Sequence, residues 1–157
     1  MSHKLQQAAW VYGGAGCDRL RGGGGADVLL GGDGDDILIG GNGRDLLISG
    51  TGCGQLKGGA GSDILVGGTM DVDAYAAALN AVLREWSRTD ADYATRVDHL
   101  MGALAGGLNS LYFLASATVD NEGAVDRLSG GAGKDWFFQS TGDSITDLRR
   151  GETVEQV

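Results

Sequence analysis

A nine-residue phrase, repeated six times in succession between residues 13 and 68, leaves this chain few folds to choose from. In register the phrases are GGAGCDRLR (13–21), GGGGADVLL (22–30), GGDGDDILI (31–39), GGNGRDLLI (40–48), SGTGCGQLK (49–57) and GGAGSDILV (58–66). Glycine holds positions 2 and 4 of every phrase, aspartate position 6 of five, and leucine position 8 of all six. A seventh phrase opens at Gly67 and Gly68 and dissolves, and another, GGAGKDWFF, stands at 130–138. Internal periodicity this strict points to stacked repeats rather than to an irregular globular core.

The phrase reads mechanically. Its glycines allow the positive-φ and crowded backbone of a tight turn, and the aspartate closes that turn. The three residues that follow suffice for a very short strand, whose middle side chain points to one face and its neighbours to the other. Alternating turns and strands would aim Leu20, Leu29, Leu38, Leu47, Leu56 and Leu65 inward as a thin ladder, with two phrases in each coil.

At this point the residues carry a resemblance. The phrase is similar to the Gly-Gly-x-Gly-x-Asp-x-apolar-x nonapeptide of the RTX (hemolysin-type) calcium-binding family. The resemblance covers 13–68 most closely and 121–152 in part. It implies a parallel β-roll in which Ca²⁺ lies between turns stacked on one edge, held by aspartate carboxylates and backbone carbonyls of both turns. Such an all-oxygen shell suits a hard cation. Carried over, the resemblance pairs Asp18 with Asp36, Asp27 with Asp45, and Asp45 with Asp63. The glycines that open the phrases, Gly13, Gly22, Gly31, Gly40 and Gly58, join these candidate sites, and Asp33 and Asn42 lie in the same turns. The partner expected for Asp36 fails, because residue 54 is glycine, and Ser49 replaces the first glycine of that same phrase. Asp126 and Asp135 extend the set, on opposite edges, with Asp143 or Asp120 as partners. Against this stands a metal-independent reading, in which the aspartates only satisfy turn backbone groups and the solenoid is a structural or adhesive surface element.

The outward positions distinguish the two sheets. One presents Val28, Leu30, Leu46, Ile48, Ile64 and Val66, all apolar; the other presents Arg19, Arg21, Ile37, Ile39, Gln55 and Lys57. An apolar face of that size calls for a cover, or for self-association. The segment after the repeats offers the cover. Asp71 and Asp73 suit a helix start, and Tyr75, Leu79, Val82, Leu83 and Trp86 share one face at helical spacing. The run Ser87–Asp90 predicts a turn with an N-cap, and Tyr93, Val97, Leu100, Met101 and Leu104 form a second stripe that Gly106 and Gly107 end. A groove for a partner helix, or an amphipathic membrane surface that the scarcity of basic residues disfavours, is the competing use of these faces. His99 is expected as a surface or boundary residue rather than a ligand. Strand-like residues follow from 111 to 119, and the roll pattern returns with bulky Trp136, Phe137 and Phe138, as suits an atypical terminal coil.

The expected architecture is therefore mainly β: a parallel β-roll solenoid with an inserted α-helical hairpin and a C-terminal capping segment. Its parts are an N-terminal segment 1–12, the repeats 13–68, the hairpin 69–111, and a returning roll with cap 112–157. A formal net charge of −9 disfavours nucleic acid and anionic membrane as partners and agrees with cation binding. No stretch of the sequence approaches membrane-spanning length, and 1–12 has no apolar core of a cleavable leader. His3 reads as a solvated residue. Cys17 and Cys53, two coils apart on one edge, are expected as free thiols that form no zinc site. No Gly-x-Ser-x-Gly or His-Glu-x-x-His motif supports an enzyme. The family resemblance implies a secreted, extracellular protein, exported by type I secretion machinery on an uncleaved C-terminal signal. The chain is then a stand-alone calcium module or the C-terminal piece of a larger one.

Overall fold

The computed structural model describes residues 7–70, 76–109, 112–114, 119–120 and 123–157. The expectations placed on His3, on Asp71–Tyr75 and on much of 111–119 lie outside these residues.

The repeats coil as the phrase demands. Strands β1 (Trp10–Ala15), β3 (Leu-rich Val28–Asp33), β5 (Leu46–Thr51) and β7 (Ile64–Val66) stack in parallel on one side. Strands β2 (Arg19–Gly24), β4 (Ile37–Asn42) and β6 (Gln55–Ala60) do so on the other. Each residue pairs with the one eighteen positions on, as Leu29 does with Leu47 and Leu38 with Leu56. The roll begins at Trp10, within the segment expected to precede it. Between the two sheets lie Leu20, Leu29, Leu38, Leu47, Leu56 and Leu65, joined by Leu128 and Phe137. One leucine per half-coil is all the interior this section can hold, because every other inward position is glycine or a short turn residue.

After β7 the chain leaves the roll. Strand β8 (Thr69–Met70) pairs antiparallel with β9 (Val119–Asp120), and between them lie α1 (Ala76–Ser87) and α2 (Tyr93–Leu100). The chain then re-enters in register. Strand β10 (Arg127–Ala132) stacks on β6, with Arg127 opposite Gln55, and β11 (Trp136–Gln139) stacks on β7, with Phe137 opposite Leu65. Partners at this step are seventy-two residues apart instead of eighteen, so a fifty-four-residue detour, three coils in length, is spliced out of the stack. The short β12 (Ser144–Ile145) adds to β10, and β13 (Thr153–Gln156) adds to β11. The ending Thr-Val-Glu-Gln is thus a strand of the roll.

The apolar sheet face is buried within the chain. Val28, Leu46, Ile48, Ile64 and Val66 form one cluster with Leu79, Val82, Leu83 and Trp86 of α1, Val97 and Leu100 of α2, and Trp136 and Phe138 of β11. Beyond this cluster Trp10 and Tyr12, on the outer face of β1 beside Val28 and Leu30, remain exposed, so the cover does not extend over the whole sheet. Polar contacts fix the helices to the turns of one roll edge. Trp86 Nε1 donates to the Ser62 carbonyl at 2.6 Å, and the Tyr93 hydroxyl donates to the Asp135 carbonyl at 2.8 Å. Trp86 also meets Tyr93 edge to face, with ring centroids 5.6 Å apart.

Three local readings of the helical segment need correction. The N-cap of α2 is Asp92, whose side chain accepts from the Thr95 N–H at 2.8 Å, two residues beyond the predicted turn. The helix stops at Leu100, because Gly102 takes φ +75° and closes it well before Gly106. Met101 and Leu104, placed on the buried stripe by spacing, are consequently exposed. His99 is buried, with its Nδ1 2.7 Å from Glu85 Oε1. Glu85, fully buried, also accepts from the Leu108 N–H and the Arg88 guanidinium. Burial pushes its pKa up, but those donors outweigh burial and hold it below the usual range.

Removing the largest apolar side chain shared by α1 and the sheet should be costly. Trp86→Ala is expected to lower the free energy of unfolding by about 3–5 kcal/mol, read as a shifted urea midpoint.

Candidate metal centre

Each turn is built from backbone that tolerates little but glycine. In the third phrase Gly32 and Gly34 have φ of 110° and 127°, and a Cβ on either would strike the carbonyl of Gly14 or Gly16 one coil below. Position 1 is crowded for a different reason. At Gly13 the point a Cβ would occupy lies 2.5 Å from the Gly31 carbonyl oxygen and 2.7 Å from Asp18 Oδ2. The same cradle, made by the turn's own aspartate and the carbonyl of the next coil, recurs at Gly31, Gly40 and Gly58.

The position-6 aspartates stack in two columns, one on each edge. Their Oδ1 atoms serve the backbone. Asp36 Oδ1 accepts the Asp18 N–H at 2.7 Å, Asp45 Oδ1 that of Asp27 at 2.8 Å, and Asp63 Oδ1 that of Asp45 at 2.9 Å. Across the splice, Asp135 Oδ1 accepts the Asp63 N–H at 2.8 Å, so one edge carries Asp27, Asp45, Asp63 and Asp135 without a break. On the opposite edge Asp18 and Asp36 are followed by Gly54, then by Asp126, whose Oδ1 accepts the Gly54 N–H at 2.5 Å. Asp143 closes that column by accepting the Asp126 N–H at 2.8 Å.

The other carboxylate oxygen is the informative one. Oδ2 of Asp18, Asp27, Asp36, Asp45, Asp63 and Asp135 is buried with no hydrogen-bond partner. A single orphaned carboxylate oxygen would be an expensive accident. Six at equivalent positions, each beside the first glycine of its phrase, could serve as a donor set for a cation. The donors are carboxylate and carbonyl oxygens, the chemistry that calcium takes and that zinc or copper sites do not favour. Among the described residues no three His, Cys, Asp or Glu side chains converge on one point. Most of a shell here must therefore be backbone carbonyl, with one carboxylate from each turn.

Electrostatics agree. Burial, helped by the neighbouring Asp27 charge, pushes Asp45 up to about 7. Burial with the charges of Asp45 and Asp135 pushes Asp63 up to about 8. Asp126 and Asp135 are each pushed up to about 6, again chiefly by burial, and Asp27 is raised as well. In every case the backbone N–H on Oδ1 opposes the shift and is outweighed. The buried columns therefore resist ionisation unless a positive charge comes between the turns.

Other residues singled out by sequence fall elsewhere. Asp33 and Asn42 are exposed on the outside of the turns. The Asp33 carboxylate accepts from Thr51 Oγ1, and the carbonyls of both residues are used by Gly16 and Gly25 N–H groups. Asp120 lies in β9 with its side chain exposed, so Asp143 is the neighbour Asp126 has. Asp147 accepts from Ser129 Oγ and from the Gly130 and Gly131 N–H groups, closing a turn beside the unbroken column. Cys17 and Cys53 are free and exposed. Sequence reasoning missed the continuation of the column from Asp63 to Asp135, because the detour hides that these residues are neighbours.

The family model of the RTX calcium-binding nonapeptide repeat matches four copies, over residues 11–47, 55–69 and 123–143. Repeats of that family bind Ca²⁺, which makes calcium the cofactor of these turns. No curated protein and no solved structure matches the chain.

Proton competition follows from the raised carboxyls. Each must ionise to hold a cation, so calcium affinity should rise as pH goes from about 6 to about 8. Binding at pH 6 should release protons, measurable as a buffer-dependent enthalpy in calorimetry. The metal-free fold should show the opposite trend. Its pKa values lie above those of an unfolded chain, so its stability is greatest at low pH and declines as pH rises through about 6 to 8.

Proposed function

We propose that this chain of RTX calcium-binding nonapeptide repeats is a secreted module that folds when it meets extracellular calcium, exported through a type I route as a free module or as the C-terminal part of a larger protein. The observation that carries the reading is the row of orphaned Oδ2 atoms on Asp18, Asp27, Asp36, Asp45, Asp63 and Asp135, each facing a cradle that glycine keeps open.

The chain's own residues set the trigger. Position-6 carboxylates hold neighbouring coils together through Oδ1, yet their burial beside one another opposes the ionised roll. The thin leucine interior offers limited compensation, since most of the remaining interior is glycine. Bound calcium supplies two positive charges and an oxygen-coordinating centre between turns. In a calcium-poor cytosol the same carboxylates must repel or take up protons, which keeps the chain loose for export. The helical detour is a hairpin inserted into the roll and serves as the cover of its apolar face, and the aromatic β11 with β13 caps the stack. No helix among the described residues is long and apolar enough to cross a membrane. A net charge of −9 favours cations over nucleic acid as partners. A non-enzymatic role fits the residues described, whose buried carboxylates are all committed to turns or to the Glu85 cluster.

Far-UV circular dichroism, titrated with Ca²⁺ and separately with Mg²⁺ after chelation, tests the reading. A cooperative gain of β signal with calcium alone is expected. Asp45→Ala and Asp63→Ala should raise the calcium midpoint most, since each residue has a column neighbour on both sides. Identical spectra in chelator and in calcium would instead favour a metal-independent solenoid.

A further inference from the structure

The fifth phrase departs from the pattern twice, and the two departures meet in space. Ser49 replaces the position-1 glycine and is buried, with 1 % exposure. Its side chain therefore stands in the cradle that the glycine leaves open in other phrases. A Cβ on Gly54 would lie 2.6 Å from Ser49 Cβ and 2.8 Å from Asp126 Oδ1. A serine at 49 and an aspartate at 54 would thus compete for one volume, so the missing aspartate is the counterpart of the added hydroxyl.

What the hydroxyl touches gives it a purpose. Ser49 Oγ accepts the Gly68 N–H at 2.8 Å, and its single proton faces the Val66 carbonyl at 3.2 Å, the Gly68 carbonyl at 3.4 Å and Asp126 Oδ2 at 3.4 Å. Val66 to Gly68 is where the chain leaves the roll, and Asp126 is where it returns. The turn above Ser49 is a hybrid: a Cβ on Gly67, just past the departing strand β7, would lie 3.0 Å from Asp126 Oδ2 and 2.8 Å from Asp143 Oδ2. Oδ2 is orphaned on Asp18, Asp27, Asp36, Asp45, Asp63 and Asp135, but on Asp126 it has Ser49. The family match is also interrupted between residues 47 and 55, the interval that holds both departures.

We propose that Ser49 is a metal-free clasp: it takes the place of a calcium ion at one rung of the Asp18–Asp36 edge and, with Gly54, closes the splice by direct hydrogen bonds. This rests on the reading that the other rungs bind calcium. The seam around the detour is then held whether or not the ion is present, and this edge holds fewer ions than the edge of Asp27, Asp45, Asp63 and Asp135.

The test restores the phrase with Ser49→Gly/Gly54→Asp and counts bound Ca²⁺ by native mass spectrometry and calorimetry, beside melting curves in chelator. The double variant is expected to bind one more ion than the parent and to melt lower than the parent in chelator. A parent that binds no calcium would overturn the calcium reading itself. A parent that binds ions, with a double variant that binds the same number, would overturn the clasp alone. Should the double variant not fold, Ser49→Gly decides. It is expected to leave the ion count unchanged and lower the chelator melting temperature by about 3 °C or more, and an unchanged melt would overturn the proposal. Gly54→Asp alone should be less stable than the double variant, because the clash needs both side chains.

Discussion

Everything in this roll depends on how one carboxylate divides its two oxygens. From Asp27 onward, Oδ1 of each position-6 aspartate is committed to a backbone N–H one coil away, as Asp45 Oδ1 is to Asp27 at 2.8 Å. That bond fixes the vertical spacing and leaves Oδ2 aimed into its own turn. A shorter side chain could not span the gap, and an amide would lack the negative charge that a divalent cation site draws on. The glycines follow from the same constraint. Position 1 stays bare because the carboxylate and a carbonyl occupy its side-chain space, and positions 2 and 4 because the turn passes through positive φ.

Much of this was legible in the sequence, since a period of nine ties local and long-range geometry together. A leucine at position 8 can only recur inward if the coils stack in register, and Leu20 through Leu65 do. The pairing of Asp27 with Asp45 and of Asp45 with Asp63 follows from the same count. Where no period governs, pattern reading was weaker. Met101 and Leu104 match the spacing of a buried stripe, yet Gly102 ends α2 between them through its backbone conformation. His99 looked like a boundary residue because its partner, Glu85, sits on the other helix, and no spacing rule links them. The Asp63–Asp135 contact was hidden for the same reason, across seventy-two residues.

The two edges of the roll are chemically unlike although the phrase that builds them is the same. One is an unbroken column of buried carboxylates, beside which α1 and α2 are anchored through Ser62 and the Asp135 carbonyl. The other is interrupted at Gly54, where a serine hydroxyl and two N–H groups do the joining. Apolar cover and carboxylate column therefore share contacts: Tyr93 reaches the backbone of a column residue while its ring packs on Trp86.

The splice also orders events in time. Coils from Trp10 to Val66 form from partners eighteen residues apart and can grow one upon the next. Strands β10 and β11 must first close a loop three coils longer, which by chain entropy alone costs about 1 kcal/mol more than closing one coil. They also need the helices compact enough to bring the two ends of the detour together. The roll is thus a zipper with a missing stretch of teeth: its first coils can close from local contacts, while its last ones wait on a distant fold.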